Sequence, residues 1–324
     1  MVSLDIIKRP IVKEFEHFQR LFEDFAVTEN PLLSKVLHHV VRSKGKQMRP
    51  LMTLLFAKLY GEIEDSAYYA ALSLELLHTA SLIHDDIVDE SAERRGQPSV
   101  NALFGNKVSV LVGDYLLATS LNYMLLADNN KMNQVVAPLA MILSDGELFQ
   151  LSQCCEDEIS EDAYFHIIKK KTASLFSACA QVGALSSHAS NEDVGKAALF
   201  GEYAGICFQI RDDIFDYYTS TEIGKPTGND IREGKLTIPI IFAVQHYGND
   251  HILALVNKTK EGVISATEVE ELINFAKDNG GIDYATRVMK EYKEKAFALL
   301  PENGNEEVVD AIKAHVDYVI GRSR

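Results

Sequence analysis

Apolar residues recur at helical spacing along most of the chain, and alternation typical of strands is not convincing anywhere. Asn30-Pro31 predicts a helix start, because Asn accepts backbone N–H groups and Pro fits the first helical position. Ser265-Ala-Thr-Glu268 has the spacing of a capping box and opens a helix that runs toward Lys277. Other helices are predicted near 5–25, 31–43, 50–60, 65–90, 106–127, 132–153, 161–187, 192–219, 236–247, 282–299 and 305–320.

Several of these segments are apolar almost all round, for example 106–127, which is typical of a helix surrounded by other helices. No linker rich in Pro, Gly or Ser divides the chain, and no repeat of fixed period occurs. The pattern therefore predicts a single all-α domain over 1–324, folded as a many-helix bundle. An apolar central helix is the candidate surface for a dimer.

Composition and charge narrow the class of protein. Of 324 residues, 47% are hydrophobic and 24% are charged, as in ordinary soluble proteins. A net charge of −15 argues against nucleic acid or an anionic membrane surface as the main partner. The N-terminal residues carry charge too early for a secretion signal, and no apolar run approaches the ~18 residues that cross a bilayer. We expect a soluble, cytoplasmic protein without stable membrane insertion.

Two segments carry the same acidic pattern, Asp85-Asp86-Ile-Val-Asp89 and Asp212-Asp213-Ile-Phe-Asp216. Positions i, i+1 and i+4 fall within about a quarter-turn of one helix face. Acids stacked in this way repel, and their flanks are apolar rather than basic, so two solvated acidic surfaces are a poor explanation. Oxygen ligands suit Mg²⁺, which proteins hold with carboxylates, water and substrate phosphate. Two such clusters facing each other in a bundle would hold a metal-bridged diphosphate.

Basic residues lie close to both acidic clusters, as binding of an anion requires. The segments are Gly45-Lys46-Gln-Met-Arg49-Pro50, Glu93-Arg94-Arg95-Gly96, Lys169-Lys170-Lys171-Thr172 and the glycine-rich stretch from Gly224-Lys225 to Lys235. Each segment alone is a weak signal, and none fits the phosphate-binding pattern GxxxxGK[ST]. Their arrangement around two DDxxD clusters indicates an enzyme that binds diphosphates.

With these motifs in this order from about Gly45 to Pro239, the chain resembles the trans-prenyl diphosphate synthase family. The resemblance implies a homodimeric, isoprenoid synthase-like fold with a central active-site cavity. It implies that both aspartate clusters bind three Mg²⁺ ions around an allylic diphosphate. The residues implied for that diphosphate are Arg94, Lys171, Thr172, Gln209, Lys225 and Lys235. Those implied for isopentenyl diphosphate are Lys46, Arg49, His78 and Arg95.

The resemblance also implies the reaction. Magnesium and cations such as Lys171 neutralise the leaving diphosphate, so that the allylic C–O bond ionises. The isopentenyl double bond attacks the cation, and the departing diphosphate is the expected proton acceptor, since no side chain stands out as a base. His78 would ordinarily be a core residue, but its position on the Asp85 face favours isopentenyl binding. His84 points off that face and has no assigned role.

Small side chains beneath the first cluster bear on product length. Ser81 and Ala80 lie one turn, about 5.4 Å, below Asp85, where aromatic residues form a floor in short-chain members of the family. The next candidates for a floor are Leu77, Leu74, Tyr123 and Met124. Gly201 and Gly205, below Asp212, indicate either close helix packing or room for the product. We expect a tunnel and a product of roughly six to nine isoprene units.

Other functions fit the sequence less well. A farnesyl or geranylgeranyl diphosphate synthase remains the main alternative. A class I terpene cyclase normally mixes Asn, Ser or Thr with Glu in its second metal motif, and does not need the cations Lys46, Arg49 and Arg95. A non-catalytic subunit of a heterodimer usually lacks aspartates from one cluster, whereas this chain has all of them. A structural metal-binding protein would not need the basic segments, and no EF-hand loop is present.

Overall fold

The computed structural model describes residues 3–153, 159–218 and 227–321. The described chain is almost entirely helical, which confirms the all-α prediction. It divides into two compact units. Unit 1 comprises Met1–Ala140, Leu175–Gly201 and Leu299–Arg324, and unit 2 comprises Met141–Ser174 and Glu202–Ala298.

The elements follow one another as a series of helices interrupted by one short ribbon. In chain order the helices are α1 (Leu4–Lys8), α2 (Val12–Asp24), α3 (Pro31–Arg42), α4 (Met48–Tyr60), α5 (Asp65–Val88), α6 (Val100–Phe104), α7 (Asn106–Leu126), α8 (Asn130–Val136), α9 (Leu139–Gln153), α10 (Glu161–Ile168), α11 (Ser174–Ser186), α12 (Asn191–Asp216), α13 (Asn229–Arg232), α14 (Ile238–Tyr247), α15 (Asp250–Lys260), α16 (Ala266–Asp278), α17 (Gly281–Phe297) and α18 (Glu306–Ile320). A 3₁₀ turn, Arg9–Ile11, joins α1 to α2, and a π-helical turn, Lys169–Ala173, joins α10 to α11. Strands β1 (Glu93–Arg94) and β2 (Gln97–Pro98) pair antiparallel.

The predicted helix starts are confirmed. Oδ1 of Asn30 accepts hydrogen bonds from the backbone N–H groups of Leu32 and Leu33 at 3.0 and 3.2 Å. The capping box at Ser265 is complete. Helices α6, α13 and α15 are not among the predicted helices. The start of α15 lies in a Gly-Asn-Asp segment that is typical of a loop. The π-helical turn also interrupts the single helix predicted over 161–187.

In unit 1, helices α5 and α7 pack against each other along their length. His84 lies against Gly113, where a Cβ atom would be 2.2 Å from its Nε2. Further down the seam, the Ser73 and Ser120 hydroxyl oxygens are 3.3 Å apart. His84 therefore faces α7, in agreement with its predicted position off the Asp85 face.

The rest of the unit 1 core surrounds α4, which packs against α5 and α18. Helix α18 also packs against α1, and Nε2 of its buried His315 donates to the carbonyl oxygen of Met48 at 2.7 Å. At Gly201 a Cβ atom would lie 2.4 Å from the carbonyl oxygen of Phe176. Of the two explanations for this glycine, close helix packing is therefore the one that the structure supports.

Unit 2 has its own core, in which α14 packs against α16 and α17. Buried side chains include Ile240, Val256 and Leu272, and Tyr217 joins them from the residue after α12. The hydroxyl groups of Tyr217 and Thr237 are 3.1 Å apart. This contact joins the end of α12 to the start of α14 within the unit.

Two stretches among the described residues, Asn106–Leu126 and Asn130–Ser152, are long and apolar enough to cross a membrane by length and composition. The expectation that no apolar run approaches this length is therefore wrong for these two stretches. Core helices of soluble proteins pass the same test, so the finding is weak evidence for a membrane span.

Candidate active site

The first aspartate cluster lies at the C-terminal end of α5. Asp85 and Asp86 are in its last turn, and Asp89 follows its last residue. Asp86 is only 3% exposed, and its Oδ1 accepts hydrogen bonds from the guanidinium of Arg94, with Nε at 2.8 Å. Asp85 is half-buried and Asp89 is exposed. The middle acid is therefore held inside the protein, while the other two reach the surface of unit 1.

The β1–β2 ribbon separates the two arginines that follow this cluster. Arg95 and Gly96 form its turn, with φ angles of +55° and +71°. Arg94 bonds to Asp86, whereas NH1 of Arg95 donates to the carbonyl oxygen of Ser43 at 3.2 Å. The ribbon therefore directs one arginine to the aspartate cluster and the next toward the segment that precedes α4.

The residues predicted for isopentenyl diphosphate lie around the start of α4 and the middle of α5, both in unit 1. The guanidinium of Arg49 stacks 4.8 Å from the ring centroid of Phe176, and Lys46 is exposed. Burial lowers the pKa of His78 well below its ordinary value, and the charges of Arg49, Arg95 and Arg94 lower it further. His78 is therefore a neutral side chain at pH 7, close to a group of arginines.

Glu75 is a buried acid in the same region and lies outside the motifs recognised in the sequence. It is 3% exposed and lies one turn before His78 on α5. Burial raises its pKa, and the positive charges of Arg49 and Arg95 act in the opposite direction. Glu75 is thus a buried acid within reach of the charges of Arg49 and Arg95. An acid inside the apolar run Leu74-Glu75-Leu76-Leu77 is the sequence signal that could have identified it.

The second aspartate cluster ends α12, in unit 2. Asp213 is 2% exposed and accepts two hydrogen bonds, from the hydroxyl of Tyr164 at 2.6 Å and from Nε2 of Gln209 at 2.8 Å. Burial raises the pKa of Asp213 to about 7, although these two hydrogen bonds favour its ionised form. Asp212 is exposed and Asp216 is half-buried. As in unit 1, the second acid of the motif is the one held inside.

Asp216 organises the segment that follows this cluster. Its two carboxylate oxygens accept hydrogen bonds from the backbone N–H groups of Asn229 and Asp230, each at 3.0 Å. These donors open α13, so Asp216 caps the short helix that leads to Lys235. Burial raises the pKa of Asp230 well above its ordinary value, and the charges of Asp213 and Asp216 raise it further. Asp230 is another acid to which the sequence analysis gave no role.

Most residues predicted for the allylic diphosphate line one cavity in unit 2. Thr172 donates from Oγ1 to Oε1 of Gln209 at 2.7 Å, and Gln209 in turn donates to Asp213. Lys171 forms an ion pair with Glu147, and Lys235 pairs with Glu233 at 2.7 Å. The cavity, of about 160 Å³, is lined among others by Lys171, Thr172, Gln209, Asp213, Asp230 and Lys235. Lys225 lies outside the described residues.

The acidic residues of the two motifs are oxygen donors, which magnesium prefers as ligands. Within the ranges that the structure describes, no three Asp, Glu, His or Cys side chains are gathered into a metal site. Magnesium does not need such a cage, because one or two carboxylates, water and substrate phosphate complete its shell. Three of the acids are not buried and could bind a metal ion that also binds substrate phosphate: Asp85, Asp89 and Asp212.

Comparison with known proteins assigns this chain to a family. The polyprenyl synthetase family model matches residues 30–275. Octaprenyl diphosphate synthase of Haemophilus influenzae is 34% identical over 277 residues, which is 84% of each chain. Heptaprenyl diphosphate synthase component 2 of Bacillus subtilis is 32% identical, over 89% of this chain and 82% of that one.

Similarity to solved structures supports the same family assignment. Geranylgeranyl pyrophosphate synthase from Bacteroides thetaiotaomicron is 46% identical, with a TM-score of 0.87 over 99% of this chain and 100% of that one. Polyprenyl synthase from Caulobacter crescentus, complexed with calcium and isoprenyl diphosphate, is 29% identical, with a TM-score of 0.92 over 100% and 99%.

The chain belongs to the polyprenyl synthetase family, as the order of its motifs predicted. It is a trans-prenyltransferase, which condenses an allylic prenyl diphosphate with isopentenyl diphosphate.

Proposed function

We propose that this enzyme makes a polyprenyl diphosphate of roughly six to nine isoprene units in an elongated apolar tunnel. The observation that carries the proposal is the pair of small side chains beneath the first aspartate cluster. Ala80 is 2% exposed and lies one turn below His84 on α5, and Ser81 lies one turn below Asp85. Neither side chain can act as an aromatic floor. The names of the Haemophilus and Bacillus relatives, with eight and seven prenyl units, support the same range.

Acids and cations near both aspartate motifs have roles in the proposed reaction. Magnesium, expected as three ions, supplies Lewis-acid neutralisation of the leaving diphosphate when bound. Asp85, Asp89 and Asp212 are the ligands best supported by their exposure. Asp86, Asp213 and Asp216 complete the two motifs, and their hydrogen bonds fix the helix ends that present the other acids. Family membership supports a role for both aspartate motifs in binding metal and diphosphate.

The basic and polar side chains have two proposed tasks. The allylic diphosphate is held, as its C–O bond breaks, by Arg94, Lys171, Thr172, Gln209, Lys225 and Lys235. Isopentenyl diphosphate is held by Lys46, Arg49, His78 and Arg95. A neutral His78 donates a hydrogen bond to an oxygen of that diphosphate without adding charge. No side chain is assigned as the base, and the released diphosphate takes the proton.

We further propose a cytoplasmic homodimer that uses the outer surface of α7. Leu111, Leu125 and Leu126 on this helix are 62%, 67% and 54% exposed. Large apolar side chains exposed together mark an interaction surface. A second copy of the chain is the proposed occupant, while the name of the Bacillus relative, component 2, makes a different partner subunit the alternative.

A shorter product is the second candidate. The 46% identical structure from Bacteroides thetaiotaomicron is named as a geranylgeranyl pyrophosphate synthase, with four isoprene units. In an enzyme that makes a four-unit product, elongation would stop before the growing chain reaches Leu77, although the residues at positions 80 and 81 are small.

One assay separates these functions. The purified protein is incubated with radiolabelled isopentenyl diphosphate, farnesyl diphosphate and Mg²⁺, and the dephosphorylated products are sized by reversed-phase chromatography and mass spectrometry. We expect a ladder that ends between six and nine units and disappears with chelator. A single four-unit product supports the second candidate, and no elongation at all contradicts both.

A further inference from the structure

The guanidinium of Arg95 occupies the space where a side chain at position 45 would lie. A Cβ atom built on Gly45 would be 2.7 Å from Cζ, 2.8 Å from NH1 and 3.0 Å from Nε of Arg95. NH1 also donates to the carbonyl oxygen of Ser43 at 3.2 Å. The planar group therefore lies against the Ser43–Gly45 backbone, and only glycine leaves room for it.

Arg95 reaches this place because of the ribbon turn. Its φ of +55° and that of Gly96, +71°, reverse the chain within two residues. Arg94 points to Asp86, so the two neighbouring arginines diverge to different partners. Arg95 is thereby brought beside Gly45, which immediately precedes Lys46 and lies four residues before Arg49. Of the three cations assigned to isopentenyl diphosphate, Lys46 and Arg49 thus belong to the segment that Arg95 contacts through Ser43 and Gly45.

We propose that Gly45 is a positioning residue for isopentenyl diphosphate, because its missing side chain lets the Arg95 guanidinium lie flat against the Ser43–Gly45 backbone. The inference rests on the proposed function, in which Arg95 binds this substrate. A guanidinium held by a backbone carbonyl and by packing keeps a fixed orientation, and its planar shape suits bidentate contact with phosphate oxygens. A displaced guanidinium would have to be reordered each time the substrate binds.

Gly45→Ala tests the idea without threatening the fold. The backbone of Gly45 is outside the left-handed region, and the added methyl meets only the far end of a flexible side chain. We expect the melting temperature to stay at the wild-type value while KM for isopentenyl diphosphate rises on the order of tenfold. KM for the allylic substrate and kcat should change little, because the displaced group belongs to one substrate.

A matched control and a double-mutant cycle complete the test. Gly195→Ala adds the same methyl where no atom beyond the chain neighbours and the nearby backbone of its own helix lies within 4 Å, and should leave kcat and both KM values unchanged. In an Arg95→Ala background the substitution at 45 has nothing left to displace, so Gly45→Ala should add no further effect. Wild-type KM in Gly45→Ala, or full additivity with Arg95→Ala, overturns the inference. If Arg95→Ala alone leaves KM for isopentenyl diphosphate unchanged, the proposed role of Arg95 is wrong and the inference falls with it.

Discussion

The hydroxyl of Tyr164 donates a hydrogen bond to Oδ2 of Asp213 at 2.6 Å, inside unit 2. Arg94 makes the corresponding contact with Asp86 in unit 1. Both acids are the second aspartate of their motif. On a helix, position i+4 lies only about 40° from position i, whereas i+1 lies about 100° away. The first and last acids therefore share a direction, and the middle acid turns toward protein that must satisfy it.

Replacing Tyr164 with Phe should destabilise unit 2. The change removes one donor from a buried carboxylate, and leaving such a group short of a partner costs about 1–3 kcal/mol. The free energy of unfolding, measured with urea at pH 7, should fall by that amount. Tyr247→Phe, on an exposed tyrosine of α14, serves as the control and should have no effect. Equal unfolding free energies for Tyr164→Phe and wild type would show that the bond contributes nothing.

His78 should make the protein less stable as the pH falls. Its pKa in the folded chain lies well below the unfolded value of about 6.5, so unfolding takes up a proton below that pH. The stability contributed by a neutral His78 is complete above pH 6.5 and is lost as the pH drops further. Between pH 7.5 and 5.5 the loss should be about 1 kcal/mol.

Urea titrations of wild type and His78→Gln at these two pH values measure this contribution. Between pH 7.5 and 5.5, the free energy of unfolding should fall by about 1 kcal/mol more in the wild type than in the variant. If both proteins lose stability in parallel, some other group carries the pH dependence.

Replacing Ala80 with Phe should shorten the product. The ring would enter a buried position one turn below His84, and in the proposed tunnel it would block growth near the first cluster. Overpacking a buried site costs about 1–3 kcal/mol, so the melting temperature must be recorded beside the product length. Ala80→Ser keeps the side chain small and should preserve the wild-type product. An active, folded Ala80→Phe enzyme with an unchanged product would mean that the growing chain does not pass this residue.

Replacing Leu125 with Glu should disrupt the proposed homodimer. A charge placed on an exposed apolar surface adds a desolvation cost only if that surface is covered by a partner. Sedimentation velocity should show a dimer for wild type and a monomer for the variant. Val263→Glu introduces the same charge at a residue that is 63% exposed in unit 2, and should remain dimeric. A monomeric wild type, or a dimeric Leu125→Glu, argues against the surface of α7.

The helices and both aspartate clusters could be predicted because their signals are local. Capping at Asn30 and the i, i+1, i+4 spacing of the acids depend on residues within one or two turns. The burial of Asp213 could not be predicted, because its partner Tyr164 is 49 residues away and only tertiary packing joins them. Gly45 was missed for the same reason, whereas Glu75 has a local signal, an acid inside an apolar run, that was not used. The role of Gly45 is visible only in the folded chain, where the Arg95 guanidinium lies against it.

Unit 1 draws its residues from three separate stretches of the chain, and α18 covers parts of α1 and α4. On the ribosome, α4 emerges long before α18 is synthesised. At ~5–20 residues per second, that interval lasts tens of seconds. During that time the apolar side of α4 is open to water and to other nascent chains. Biosynthetic yield should therefore depend on chaperones that shield the early helices until translation passes residue 320.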